Sequence, residues 1–257
     1  MAETGRRHGD GDRADRCSPQ HRPGKERVAM GEMVRFPSNG GWSDGYLARP
    51  RSGNGPGMIV IQEWWGLNDQ IKSVCHRLAG EGFNALAPDL YRGKHAGFDE
   101  PDEAKKLMME LDLGEVAKVA RGAAAFLSAH ETTSSEKVGV IGFCMGGMLA
   151  LFTGTVAAGQ IAAVVDCYGV PPRQKPDYNA MRGTPVLGIF GGKDHHVLDA
   201  VPTLAADLAA AGVPFTKHVY PDADHGFLND QRADAHRADD AKDAWSKIVP
   251  FLKEHLV

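Results

Sequence analysis

The stretch KVGVIGFCMGGMLALFTG, residues 137–154, decides the fold. Val138 to Ile141 is a short apolar run of the kind found in strands buried on both faces, and the residues from Met145 onward form an apolar helical pattern. Between them, Gly142-Phe143-Cys144-Met145-Gly146 has the Gly-x-nucleophile-x-Gly pattern of a strand-to-helix elbow, with Cys where Ser is usual. Small residues two places before and two after Cys144 allow a sharp turn that lifts its side chain onto an exposed tip. The N-terminus of the following helix adds positive potential that favours a thiolate. The alternative is a tight turn around a buried, inert thiol. Strand, motif and helix coincide here, which favours the nucleophile.

Working outward, MVRFP and DGYLARP flank the turn-rich SNGGWS and predict an opening β-hairpin. Strand-like runs follow at Met58–Ile61, Phe83–Ala87, Val138–Ile141, Ala162–Val165, Val186–Phe190 and Phe215–Tyr220. Helical patterns alternate with them at Asp69–Glu81, Pro101–Leu111, Glu115–Ala129, Met145–Ala158 and Val201–Ala211. A last one spans 233–256, with a kink expected at Pro250. An antiparallel entry followed by repeated βα units predicts an α/β fold: a mostly parallel twisted sheet with helices on both faces and its site at the carboxyl ends of the strands.

The chain has 257 residues and a formal net charge of -4, with 42% apolar and 24% charged residues. This balance gives no global positive field for nucleic acid, and no apolar run reaches the roughly 18 residues of a membrane span. Residues 1–29 carry seven Lys/Arg and five Asp/Glu but no Ile, Leu, Phe, Trp or Tyr, so they are read as a disordered extension. Met30 or Met33 offers an alternative start of translation. Residues 30–257 are read as one domain, acting as a monomer. Four scattered cysteines, Cys17, Cys75, Cys144 and Cys167, make no disulfide framework and suggest the cytoplasm; Cys75 and Cys167 are expected in the core.

A cysteine nucleophile needs a base and a group to orient it. In such a sheet they follow in the order nucleophile, acid, histidine, each after a later strand. Asp194 follows TPVLGIF and His225 follows PFTKHVY, which satisfies both position and order. His195, His196 and His218 compete weakly for the base. The set Asp194, His195, His196 and Asp199 matches no standard zinc spacing and is read as a structural loop. Gln62-Glu63-Trp64-Trp65-Gly66 ends the first buried strand, where the second oxyanion donor normally arises. The backbone N–H groups of Trp64 and Met145 are therefore the candidate donors. Glu63 is unusual at the end of a buried strand, and close to Cys144 it would modulate the thiol; the alternative is a snorkelling surface carboxylate. Tyr91 and Arg92 are candidates for an anionic substrate, with plain surface as the alternative for Arg92, and Trp65 is a candidate pocket wall.

Taken together, the chain resembles the dienelactone hydrolase (carboxymethylenebutenolidase-like) family of the α/β-hydrolase superfamily over nearly all of residues 31–256. The resemblance rests on MGEMVRFPSNGGWSDGYLARP, QEWWGLN, GFNALAPDLYRG, GFCMGG, GGKDHH and ADHGF in that order. It implies a Cys144, His225 and Asp194 triad that hydrolyses an ester or enol lactone without cofactor or metal. In the family the reaction takes dienelactone to maleylacetate during the degradation of aromatic compounds. It also implies a resting thiol turned away from the base, towards the position of Glu63. Departures from the family pattern fall at Arg92, one place out of register, at Gly226, where a Ser is expected, and at Asn229, where an Arg pairs with the Glu. Arg232 lies a little beyond. The departures keep a general short-chain carboxylesterase or acyl transferase open as an alternative. A non-catalytic ligand-binding or redox-sensing relative is the reading from another class.

Overall fold

In the computed structural model, which describes residues 31–38, 40–170, 172 and 174–257, the apolar runs assemble into one eight-stranded sheet. The extension 1–29 lies outside the described residues. Strands β1 (Gly31–Ser38) and β2 (Gly41–Ala48) form the hairpin, and its final pair, Ser38 with Gly41, leaves only two connecting residues. The strands thus run further into SNGGWS than the turn residues suggest. Next come β3 (Gly57–Ile61), α1 (Asp69–Gly80), β4 (Asn84–Pro88), α2 (Pro101–Met109) and α3 (Leu113–Ala129). The second half comprises β5 (Val138–Phe143), α4 (Met145–Val156), β6 (Ile161–Cys167), β7 (Val186–Gly191), α5 (His195–Leu198), α6 (Val201–Ala211), β8 (Phe215–Tyr220) and α7 (Ala238–Leu256).

The strand order is β1-β2-β4-β3-β5-β6-β7-β8, antiparallel through β2–β4 and parallel from there on. Every residue of β3, β4, β5 and β7 is buried, which accounts for their continuous apolar runs. Successive side chains serve opposite faces. Val140 and Val164 join the layer of α3, α4 and α6, while Ile141 and Val165 join that of α1 and α7. The Asn68 side chain caps α1 by accepting from Ile71 N–H at 3.2 Å, and Asp112 caps α3 through Glu115 N–H at 2.8 Å.

Two differences from the sequence reading have local causes. The last helix begins at Ala238, because residues 230–237 are spent on turns that carry the chain back from the site. α7 continues through Pro250 to Leu256, and its buried Ile248 and Leu252 keep one stripe against the sheet on either side of the proline. Two one-turn elements, α5 and the 3-10 turn Tyr178–Met181, are too short to show any periodicity.

Leu149 on α4 is fully buried between helix and sheet. Leu149→Ala is expected to destabilise the fold by about 2–5 kcal/mol. The check is a lower urea midpoint with unchanged slope.

Candidate active site

The turn from β5 to α4 is built on close approach. A Cβ on Gly142 would lie 1.8 Å from the Gly146 carbonyl oxygen, and one on Gly146 would lie 2.4 Å from that of Gln62. Only glycine fits either place. Between them Cys144 takes φ 57° and ψ -123°, a conformation that L-residues rarely adopt. Its N–H donates to the Cys167 carbonyl at 3.0 Å, and its own carbonyl accepts from Gly147 N–H at 2.9 Å. The side chain is half-buried at the tip, as the elbow motif predicts.

The loops after β7 and β8 are lashed together by Gly192 N–H on the Tyr220 carbonyl at 2.7 Å and Lys193 N–H on the Ala223 carbonyl at 2.9 Å. This brings Asp194 Oδ2 to 2.6 Å from His225 Nδ1. The other oxygen of Asp194 accepts from Val197 N–H at 3.4 Å, so both ends of a nearly buried carboxylate are held. Burial works to lower the His225 pKa, but Asp194 and Cys144 outweigh it and raise the imidazole to about 10. The Cys144 sulfur has, among the described residues, no side-chain hydrogen bond to either His225 or Glu63. Among the described residues, Glu63 has Tyr168 and Asn229 as its hydrogen-bond partners and not Cys144.

Glu63 is 3% exposed. Asn229 Nδ2 donates to its Oε2 at 3.1 Å and the Tyr168 hydroxyl to its Oε1 at 3.4 Å. Burial raises its pKa, opposed by the Asn229 hydrogen bond, the charges of His225 and Arg232, and the Tyr168 hydroxyl. Tyr168 is itself fully buried at φ 44°, and its ring stands 5.2 Å from that of His225. Sequence reasoning missed it. The signal was its place directly after β6, among the strand ends where the other site residues lie.

The N–H groups of Trp64 and Met145 have no protein acceptor among the described residues. Met145 opens α4, where a helix leaves its N–H groups free. Tyr91 turns inward, with its hydroxyl 3.5 Å from Met145 Sδ; its pKa is raised by burial first and then by the charge of Cys144. Two candidates are not brought into the site. Arg92 sits at φ 54° in a turn that sends it outward, and its largely exposed guanidinium pairs with Glu115 on α3 at 3.4 Å. Trp65 is a core residue, packed edgewise on Trp64 and Phe98. Arg232, by contrast, reaches back over the turn at Gly226. Its Nη1 would lie 3.6 Å from a Cβ on Gly226, next to His225, and Asp234 anchors its guanidinium. His195 and His196 are exposed on α5, and Cys75 and Cys167 are fully buried as expected.

The raised His225 pKa fixes a direction for stability against pH. A folded-state value near 10 against an ordinary 6.5 means that the stabilisation is fully present below pH 6.5 and is lost as pH rises towards 10. The stability margin of the wild type over His225→Asn should therefore narrow across that window in thermal unfolding. A margin that stays flat or widens contradicts an imidazolium held by its neighbours.

Comparison with known proteins agrees with this architecture. The family model described as "Dienelactone hydrolase family" matches residues 43–256. "Protein usf" of Aquifex pyrophilus is 41% identical over 234 residues, covering 88% of this chain and 100% of that protein. The "Putative carboxymethylenebutenolidase" of Aquifex aeolicus is 36% identical with the same coverage, 88% and 100%. Among solved structures, the "Putative Dienelactone Hydrolase" of Klebsiella pneumoniae superposes with a TM-score of 0.78 at 30% identity, covering 88% of this chain and 99% of that one. With its elbow, its mostly parallel sheet and these relatives, the chain is a hydrolase that belongs to the dienelactone hydrolase family.

Proposed function

We propose that the chain hydrolyses small carboxylic esters or enol lactones through Cys144, His225 and Asp194, acting as a monomer in the cytoplasm. The observation that carries this reading is the Asp194–His225 pair, 2.6 Å apart, in a chain whose strand-to-helix elbow presents Cys144 in a strained conformation. His225 is held as the imidazolium, carrying the proton that Cys144 gives up within the pair, and the sulfur attacks the substrate carbonyl. The N–H groups of Trp64 and Met145 receive the oxyanion. Collapse of the tetrahedral adduct expels the alkoxide or enolate, which takes the proton held by His225, and leaves a thioester on Cys144 and a neutral imidazole. His225 then takes a proton from water, whose oxygen attacks the thioester and regenerates the thiol. An enolate is a stabilised leaving group that needs little protonation, so an enol lactone suits a sulfur nucleophile.

Glu63 tunes the site by being neutral or charged. Its direct partners, Asn229 and Tyr168, are uncharged donors, and burial favours its protonated form. Arg232 is the cation over the turn at Gly226, and it supports a substrate that carries a carboxylate, of which dienelactone, giving maleylacetate in aromatic degradation, is one. The outward Arg92 and the bare Gly226 favour the second reading, an esterase for neutral short-chain substrates.

Cys144→Ala should abolish turnover of p-nitrophenyl acetate, and retained activity would overturn the nucleophile. Arg232→Leu should raise KM for cis- and trans-dienelactone about tenfold, the scale of a lost charged hydrogen bond, while leaving neutral esters unchanged. Loss on both substrate classes, or on neither, would point to the neutral esterase.

A further inference from the structure

A cavity of about 230 Å³ lies between α4, α6 and the carboxyl ends of β6 and β7, away from the reacting sulfur. Most of its wall is apolar, from Met148 and Leu151 of α4, Phe190 of β7, and Val201 and Leu204 of α6, with Tyr178 and Thr203 as polar lining. Its floor holds Asp166, the penultimate residue of β6, only 1% exposed. Oδ1 of Asp166 accepts from Gly169 N–H at 2.8 Å and is pressed against the backbone of Gly147. Oδ2 has no hydrogen-bond partner among the described residues. Lys175, at the rim, is taken up by Asp207. A carboxyl in such a place is costly to ionise unless a ligand supplies the missing partner. Burial accordingly raises its pKa to about 7, with the Gly169 hydrogen bond opposing.

We propose that this cavity is a second small-molecule site, taking a primary amine with a compact apolar body, its ammonium on Asp166 Oδ2 and its body between α4 and α6. An ammonium supplies both the opposite charge and the donors that Asp166 lacks, which favours the ionised carboxylate. An alcohol supplies a donor without the charge, and a carboxylate meets a like charge. The volume is below the roughly 300–1,000 Å³ of pockets for drug-sized ligands, so the body is limited to about six to eight carbons. Val197 also lines the cavity, and its N–H holds Asp194, so an occupant touches the support of the acid without entering the space above Cys144.

The test is calorimetric titration of the full chain at pH 8 with n-hexylamine, 1-hexanol and hexanoate, repeated on Asp166→Asn and Leu204→Trp. Hexylamine should bind saturably with one site per chain, and hexanol and hexanoate at least tenfold more weakly. Asp166→Asn should cost tenfold or more, the scale of a charge-assisted hydrogen bond, and Leu204→Trp should abolish binding by filling the cavity. Both variants should keep turnover of p-nitrophenyl acetate, and hexylamine should not compete with that ester. Three results would each overturn the proposal: no saturable binding to the wild type, equal binding to Asp166→Asn, or competition with the ester. Should Asp166→Asn fail to fold, the ligand series and Leu204→Trp still decide, and neither depends on the hydrolase reading.

Discussion

The close approach of two carbonyls to Gly142 and Gly146 is the constraint on which the rest of the site depends. With no room for a Cβ on either side, the chain reverses within three residues, and Cys144 is held in a conformation that costs about 1–3 kcal/mol. The cost is borne by the strand beneath it. β5 lies between β3 and β6, is buried throughout, and cannot relax without disturbing both neighbours. Those same neighbours end at Glu63 and Trp64 on one side and Tyr168 on the other, so the central position of the elbow strand chooses what surrounds the sulfur. Asp194 and His225 arrive from β7 and β8, further along the same edge.

The electrostatics around the sulfur follow from the same crowding. Glu63 is buried against an amide and a phenol, so nothing touching it directly compensates a full negative charge. Asp194 meets the imidazole on one oxygen and a backbone N–H on the other, so both of its acceptors are occupied. Two carboxyl groups at the ends of two buried strands are thus pushed in opposite functional directions by their partners. One stabilises an imidazolium, and the other is favoured as a neutral hydrogen-bonding wall.

Much of this was legible in the sequence. Continuous apolar runs mark strands buried on both faces, and the elbow, the order of Asp194 and His225, and the Glu after β3 are local patterns that survive without a structure. What was not legible depends on which way a residue faces. Tyr91 and Arg92 are adjacent, yet one lies under the elbow and the other pairs with Glu115 on the surface, because the turn at Arg92 has positive φ. Trp64 and Trp65 divide in the same manner between a half-buried and a core side chain. Tyr168 and Asp166 carried no motif at all, since their roles come only from packing against β5 and α4. The extent of α7 was misjudged because the helical pattern of its first turns continues into residues that the chain uses to return from the catalytic loop.

Strand β8 forms the outer edge of the sheet on the side of Asp194 and His225. Most of its residues are partly or fully exposed, it pairs with β7 alone, and the base follows it directly. Edge strands with few buried contacts open locally at a smaller free energy than the centre of a sheet. Fraying of β8 would move the loop that carries His225, whereas β3, β5 and β6 lie inside the sheet and hold the elbow between them. The half of the site borne by β8 is thus held less firmly than the half borne by β5.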